Sequence, residues 1–220
     1  MKKYIAIILS ILLLVVLAAC ANNSDQGTKE QSDAKKAHVV KKKKVSNDPD
    51  GNDPTLTRVG ETYKTNDSTT TLKRIYDVKQ SVDVKPIKLT IGSIKFLAFT
   101  HLDTDMQESY GLHSDHFNGL QLSYEVQNTS KDTVNMYPPI DKVILSTGQQ
   151  ISMENNDYLD ASTDDTFYGQ AKQKGYCGFI LPDDVNINEV KWIKIVTSDT
   201  WSNDEDGTEL SEPQVTKVQF

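Results

Sequence analysis

Between residues 119 and 128 the chain alternates almost without error. In GLQLSYEVQN, Leu120, Leu122, Tyr124 and Val126 fall on one side, and Gln121, Ser123, Glu125 and Gln127 on the other. A period of two over eight residues predicts a half-buried strand. The turn-rich NTSKD (128–132) follows and TVNMY (133–137) resumes the extended pattern, which predicts a hairpin. VILSTGQQISM (143–153) reads as strand, Thr-Gly turn and strand. TLKRIYDV (71–78), IKLTIGSIKFLAF (87–99), KGYCGFIL (174–181), EVKWIKIVTS (189–198) and QVTKVQF (214–220) belong to the same series. Gly92, inside the second of these, predicts a bulge or bend. The pattern amounts to eight or nine strands with no helix of ten or more residues and no fixed-period repeat. Many short strands at regular spacing predict an all-β, antiparallel sandwich. Two long interruptions, 101–118 and 154–173, read as loops.

The N-terminal pattern is different. Lys2 and Lys3 precede Tyr4 through Ala19, a run that is apolar or aromatic except at Ser10. This is a charged start and an apolar stretch, short for a membrane span of about 20 residues. It ends in Leu17-Ala18-Ala19-Cys20, small residues followed by a thiol, and so looks like the lipobox of bacterial lipoproteins. That resemblance implies a signal peptide over 1–19 and lipidation of Cys20, whose sulfur takes a diacylglyceryl group before cleavage makes it the new N-terminus. Two acyl chains on one residue meet the requirement that stable anchoring takes more than one lipid signal. The expected location is the extracytoplasmic face of the cell membrane, with the membrane itself engaged through the lipid anchor. An ordinary secretory signal or a plain transmembrane anchor are the alternatives. Lipid substitution leaves Cys177 as the one remaining thiol, so no internal disulfide is expected.

Residues 20–54 form the next block. Beyond the lipidated Cys20, Val39, Val40 and Val45 are its large apolar residues, amid Asn, Asp, Ser, Gln and Lys. Such a segment buries too little surface to offset its ordering entropy and is expected to be a disordered tether. HVVKKKKV (38–45) within it reads either as a solvated charge run or as a contact for anionic headgroups or wall phosphates. Residues 55–220, the predicted folded domain, hold 15 basic and 25 acidic residues, a formal −10. That balance argues against nucleic acid as a partner, which would need a basic footprint.

The order of segments in this domain resembles a family of uncharacterised Gram-positive lipoproteins with a C-terminal immunoglobulin-like domain of unknown function. The likeness rests on VGETYKT (59–65), PIKLTIGSIKF (86–96), Asn128-Thr129-Ser130, Tyr137-Pro138, the strand–Thr-Gly–strand unit, FYG (167–169) and VKWIKIV (190–196). It implies an immunoglobulin-like sandwich over 55–220 and a role in binding. It supplies no catalytic residues.

The chemistry-bearing residues fit that picture. His101, His113 and His116, with Asp103, Asp105 and Asp115, could suit zinc or copper, but lack a second spaced pair or a helical frame. SNDEDGTELSE (202–212) fails the twelve-residue calcium loop, with Ser202 first and Pro213 last, so its acids read as turn formers. Cys177 sits in a strand with Phe179 and Leu181 on its face and reads as a small buried apolar residue. No nucleophile elbow, phosphate loop or dinucleotide fingerprint occurs, so no catalytic residue, metal ligand or cofactor is assigned. Tyr158, Phe167 and Tyr168, aromatic among acids in the 154–173 segment, are the candidate partner-contact residues, together with Trp201. Trp192 reads as core. The expected function is a non-catalytic binding or accessory module for an envelope protein or cell-wall component. A small-ligand or metal-binding sensor or carrier is the alternative.

Overall fold

The computed structural model describes residues 56–159 and 163–220. The signal peptide, Cys20 and the tether lie outside the described residues. In chain order the first elements are β1 (Thr62–Lys64), β2 (Thr69–Val84), β3 (Ile87–Thr100), α1 (Thr104–Ser109) and β4 (His116–Asn128). Next come β5 (Val134–Asn135), β6 (Lys142–Leu145), β7 (Gln150–Ser152), α2 (Met153–Asn156), β8 (Asp157–Leu159) and β9 (Thr166–Phe167). The last are β10 (Lys172–Leu181), β11 (Trp192–Val196), β12 (Thr200–Ser202), β13 (Glu209–Ser211) and β14 (Val215–Gln219). The fold is all-β, and every strand pairing among the described residues is antiparallel. The strands exceed the expected number because several are only two or three residues long and carry no periodic signal.

Six strands form the largest sheet in the order β1-β2-β3-β4-β10-β8; β14-β11-β6-β7 form a second and β13-β12-β5-β9 a third. The main core lies on one face of the large sheet. There Leu89, Ile94, Leu120, Leu122, Cys177 and Phe179 pack with Val143, Ile151, Ile193 and Ile195 of the second sheet and with Val134 and Phe167 of the third. Completely burying one such aliphatic or aromatic side chain is worth about 1.5–3 kcal/mol.

Gly92 is what lets β3 serve that core. Its apolar residues Ile87, Leu89 and Ile91 are odd-numbered, whereas Ile94 and Phe96 are even-numbered, yet all five belong to one cluster. The register with β4 shifts between Ile91 and Ser93, so the predicted bulge is present and flips the parity. Ser123 fills the site: its Oγ lies 2.8 Å from the Ser93 Oγ and accepts from the Ser93 amide at 2.8 Å. A side chain at Gly92 would meet that same oxygen at 2.8 Å.

The opposite face of the large sheet carries a second core of Leu56, Tyr63, Leu72, Leu97, Phe99, Leu102, Phe117 and Tyr158. For this reason β4 is not half-buried as its alternation predicted: Gly119 and Gln121 are covered too. The predicted hairpin after β4 is also absent. β5 pairs with β9 and β12, because Asn128 folds the turn back and sends the chain to another sheet. The β6–β7 hairpin matches its prediction, with Gly148 at φ 104° in the turn. Arg74 of β2 closes one end of the main core: it donates to the carbonyls of Ile187 and Val190, and its guanidinium lies 5.1–5.4 Å from the rings of Tyr76, Phe96 and Phe220.

Candidate functional site

The third sheet is small, and everything around it fixes its position. Phe167, Val134 and Thr200 are almost wholly buried on its inner face. The register sets Thr166 opposite Asn135, Asn135 opposite Trp201, and Trp201 opposite Glu209, which puts those four residues in one row on the outer face. Polar side chains link the row: Thr166 Oγ1 donates to Asn135 Oδ1 at 3.1 Å, and Asn135 Nδ2 donates to Asn203 Oδ1 at 3.1 Å.

Three devices hold the turns of this sheet. Buried Asn128 donates to the carbonyls of Asp132 (2.7 Å) and Phe167 (2.9 Å), while its Oδ1 accepts from the Ser130 amide and hydroxyl, both at 2.9 Å. Gly169 passes so close to the 129–133 loop that a Cβ would lie 2.1 Å from the Lys131 carbonyl oxygen. In the β12–β13 hairpin, Asp204 Oδ1 accepts from the Ser202 hydroxyl at 2.7 Å and the Gly207 amide at 2.9 Å, with Gly207 at φ 57°. The Ser202 hydrogen bond, first among its causes, lowers the Asp204 pKa. This is the turn-forming role that the acids of 202–212 suggested.

Below the sheet, the Lys85–Pro86 turn joins β2 to β3. Thr129 and Thr200 hold it by donating to the Pro86 carbonyl (2.6 Å) and the Lys85 carbonyl (2.8 Å). Between this turn, the 129–133 loop and the β12–β13 hairpin lies a groove of about 830 Å³, with Pro86, Val134 and Leu210 beside Lys85, Lys131 and Asp132.

The four candidate contact residues divide evenly. Tyr168 is 69% exposed and Trp201 40% exposed, the latter on β12 and not in a loop. Tyr158 and Phe167 are buried, so neither offers a ring to a partner. Phe167 belongs to the main core. Tyr158 lies over two glycines of adjacent strands: a Cβ at Gly119 would be 2.7 Å from its ring, and one at Gly178 2.6 Å. Its ring also meets those of Phe99 and Phe117, and its buried hydroxyl has no hydrogen-bond partner among the described residues. Burial, reinforced by Cys177 and Tyr110, raises the Tyr158 pKa well above its ordinary value.

Neither long interruption is structureless. Segment 154–173 contains part of α2, then β8, β9 and the start of β10. Segment 101–118 contains α1, capped where Asp103 Oδ1 accepts from the Met106 amide at 2.8 Å, and its Leu102 and Phe117 enter the second core. His101, His113 and His116 are exposed, with His116 Nδ1 3.1 Å from Asp115 Oδ1. Among the described residues no three His, Cys, Asp or Glu side chains are grouped as a metal site would need. Cys177 is fully buried beside Phe179 and Leu181, as its strand position indicated. Trp192 corrects its expectation: it is half-exposed on the outer face of β11, with the Lys217 ammonium 4.5 Å from its ring centroid.

No family model matches the chain. The uncharacterized protein YdhF of Bacillus subtilis (strain 168) is 27% identical over 184 residues, covering 76% of this chain and 75% of that protein. The chain is similar to proteins of uncharacterised function. Among solved structures, a functionally unknown protein from Listeria monocytogenes EGD-e superposes with a TM-score of 0.48 at 18% identity, covering 69% of this chain and 86% of that one. The yjhA protein from Bacillus subtilis gives a TM-score of 0.27 at 14% identity, over 64% and 81% of the respective chains.

Proposed function

We propose that this chain is a lipid-anchored surface lipoprotein whose immunoglobulin-like β-sandwich serves as a non-catalytic binding module at the outer face of the cytoplasmic membrane. The Leu17–Cys20 motif supports the anchor, and the shared core of the large and second sheets supports the sandwich. The observation that carries the binding reading is the outer face of the third sheet. There Trp201 is exposed on a rigid strand, flanked by hydrogen-bonded amides, and Tyr168 is exposed just beyond β9. Exposed aromatics on a fixed frame are what interfaces favour. The test is photo-cross-linking in intact cells from a reactive side chain placed at residue 168 or 201, with residue 88 on β3 as control. An envelope component captured from 168 and 201 but not from 88 is expected. Its absence from both positions would remove the binding reading. Replacing Cys20 with Ser tests the anchor separately, through loss of incorporated fatty acid.

A second reading, a carrier or sensor of a small ligand, draws on the groove beside Lys85 and Lys131, whose volume falls in the range of ligand pockets. Native mass spectrometry of the purified chain tests it, since a retained small molecule would add a discrete mass.

A further inference from the structure

We infer that the outer face of the third sheet docks a cationic polypeptide segment, rich in Lys or Arg, of a partner protein. The inference rests on the binding reading above and specifies its partner. It starts from a contrast between the two tryptophans. Trp192 already has Lys217 at 4.5 Å and Lys194 at 6.0 Å from its ring centroid. Trp201 is just as able to attract a cation to its ring face, yet among the described residues it carries neither a cation nor a ring contact.

Charge decides what should occupy the face. The segments that build the third sheet and its turns, 129–135, 163–169 and 199–212, hold nine acidic residues and one lysine, a formal −8. The whole of 55–220 is −10, so the remainder of the domain is nearly balanced. Glu205, Asp206 and Glu209 are exposed and make no ion pair among the described residues. An excess of one sign along one small sheet and its turns steers and retains opposite charge and rejects like charge. A lysine or arginine side chain lying on Trp201 would reach Glu209, its register partner, with the same cation. An anionic wall polymer or a nucleic acid would be repelled from the same face.

The experiment titrates the full chain carrying Trp192→Phe, so that Trp201 is the fluorophore, with an octalysine peptide. Octaglutamate is the control. Saturable change in Trp201 emission with octalysine alone is expected, weakening several-fold between low and physiological salt. Trp201→Ala, read by calorimetry, should weaken binding about three- to tenfold. Glu205→Lys with Asp206→Lys and Glu209→Lys should abolish it. Asp83→Lys with Glu108→Lys and Asp183→Lys, the same charge change elsewhere, should leave most of it. Equal loss in the two triple variants would overturn the inference, since net charge and not this face would be responsible. Tighter binding after Lys41, Lys42, Lys43 and Lys44 are changed to Ser would also overturn it, because the chain's own tether would then be the occupant. No octalysine binding, with cross-links still formed from residues 168 and 201, would reject the cationic partner and leave the binding module standing.

Discussion

Tyr158 shows how a single side chain can mislead a reading of the chain and still explain the fold. In sequence it stands among acids and looks like a contact residue. In the fold its ring fills the space left by Gly119 and Gly178, which no pattern of apolar and polar positions reveals. Gly178→Ala should therefore cost about 1–3 kcal/mol, the usual penalty for overpacking, measured as a lower urea midpoint at unchanged slope. Tyr158→Phe removes a buried hydroxyl that has no partner among the described residues, so it should leave stability unchanged or raise it by up to about 1 kcal/mol at neutral pH. The raised pKa gives a pH prediction as well. An unfolded tyrosine loses its proton near pH 10, while folded Tyr158 holds its proton to a higher pH. Above pH 10 the folded state thus binds more protons than the unfolded one, and stability falls as pH rises. Tyr158→Phe should flatten that alkaline loss in thermal melts between pH 9 and 11. An unaltered alkaline limb would show that the group responsible lies elsewhere.

At the scale of elements, alternation located strands well and their partners poorly. The bulge at Gly92 and the β6–β7 hairpin were legible because each depends on residues adjacent in sequence. The hairpin expected after β4 was not formed, because the deciding interactions are long-range. Asn128 reads as an ordinary turn residue, yet its amide reaches the Phe167 carbonyl 39 residues away. That bond fixes where β5 and β9 meet and hence where the outer face of the third sheet lies. Asn128→Ala would strand the buried carbonyl of Phe167 and free the 129–133 loop. The expected cost is about 2–4 kcal/mol, more than one unsatisfied buried group because the hydrogen bonds to the Asp132 carbonyl and to the Ser130 amide and hydroxyl go with it. Trp201 emission in the Trp192→Phe background reports the third sheet directly, so it should lose its native signal at lower denaturant than wild type. A change confined to other regions of the domain would mean that Asn128 does not govern the sheet. Of the four contact residues read from the sequence, the two that remain exposed lie on β12 and just after β9. The other two are buried because their segment forms short strands, too brief for periodicity to register.

For the whole molecule the informative quantity is the placement of charge and not its total. A formal −10 over 55–220 suggests a uniformly acidic surface, whereas most of the excess lies in the segments that form the smallest sheet and its turns. Strands that are far apart in sequence bring those acids together, so composition alone could not locate them. Gathering them costs stability, because like charges on one sheet repel over distances that salt shortens from about 10 Å at 0.1 M to about 3 Å at 1 M. Sodium chloride should therefore stabilise the domain, by about 1 kcal/mol between 0.05 and 1 M, an amount typical of a few weak exposed pairs. Changing Glu205, Asp206 and Glu209 together to Lys should raise the melting temperature at low salt and remove most of that salt dependence. A variant more stable than wild type that no longer binds octalysine has lost the cation by electrostatics and not by unfolding. Unchanged salt dependence in this variant would mean that the acids of the third sheet are too well solvated to repel one another, and too weak to hold a cationic partner.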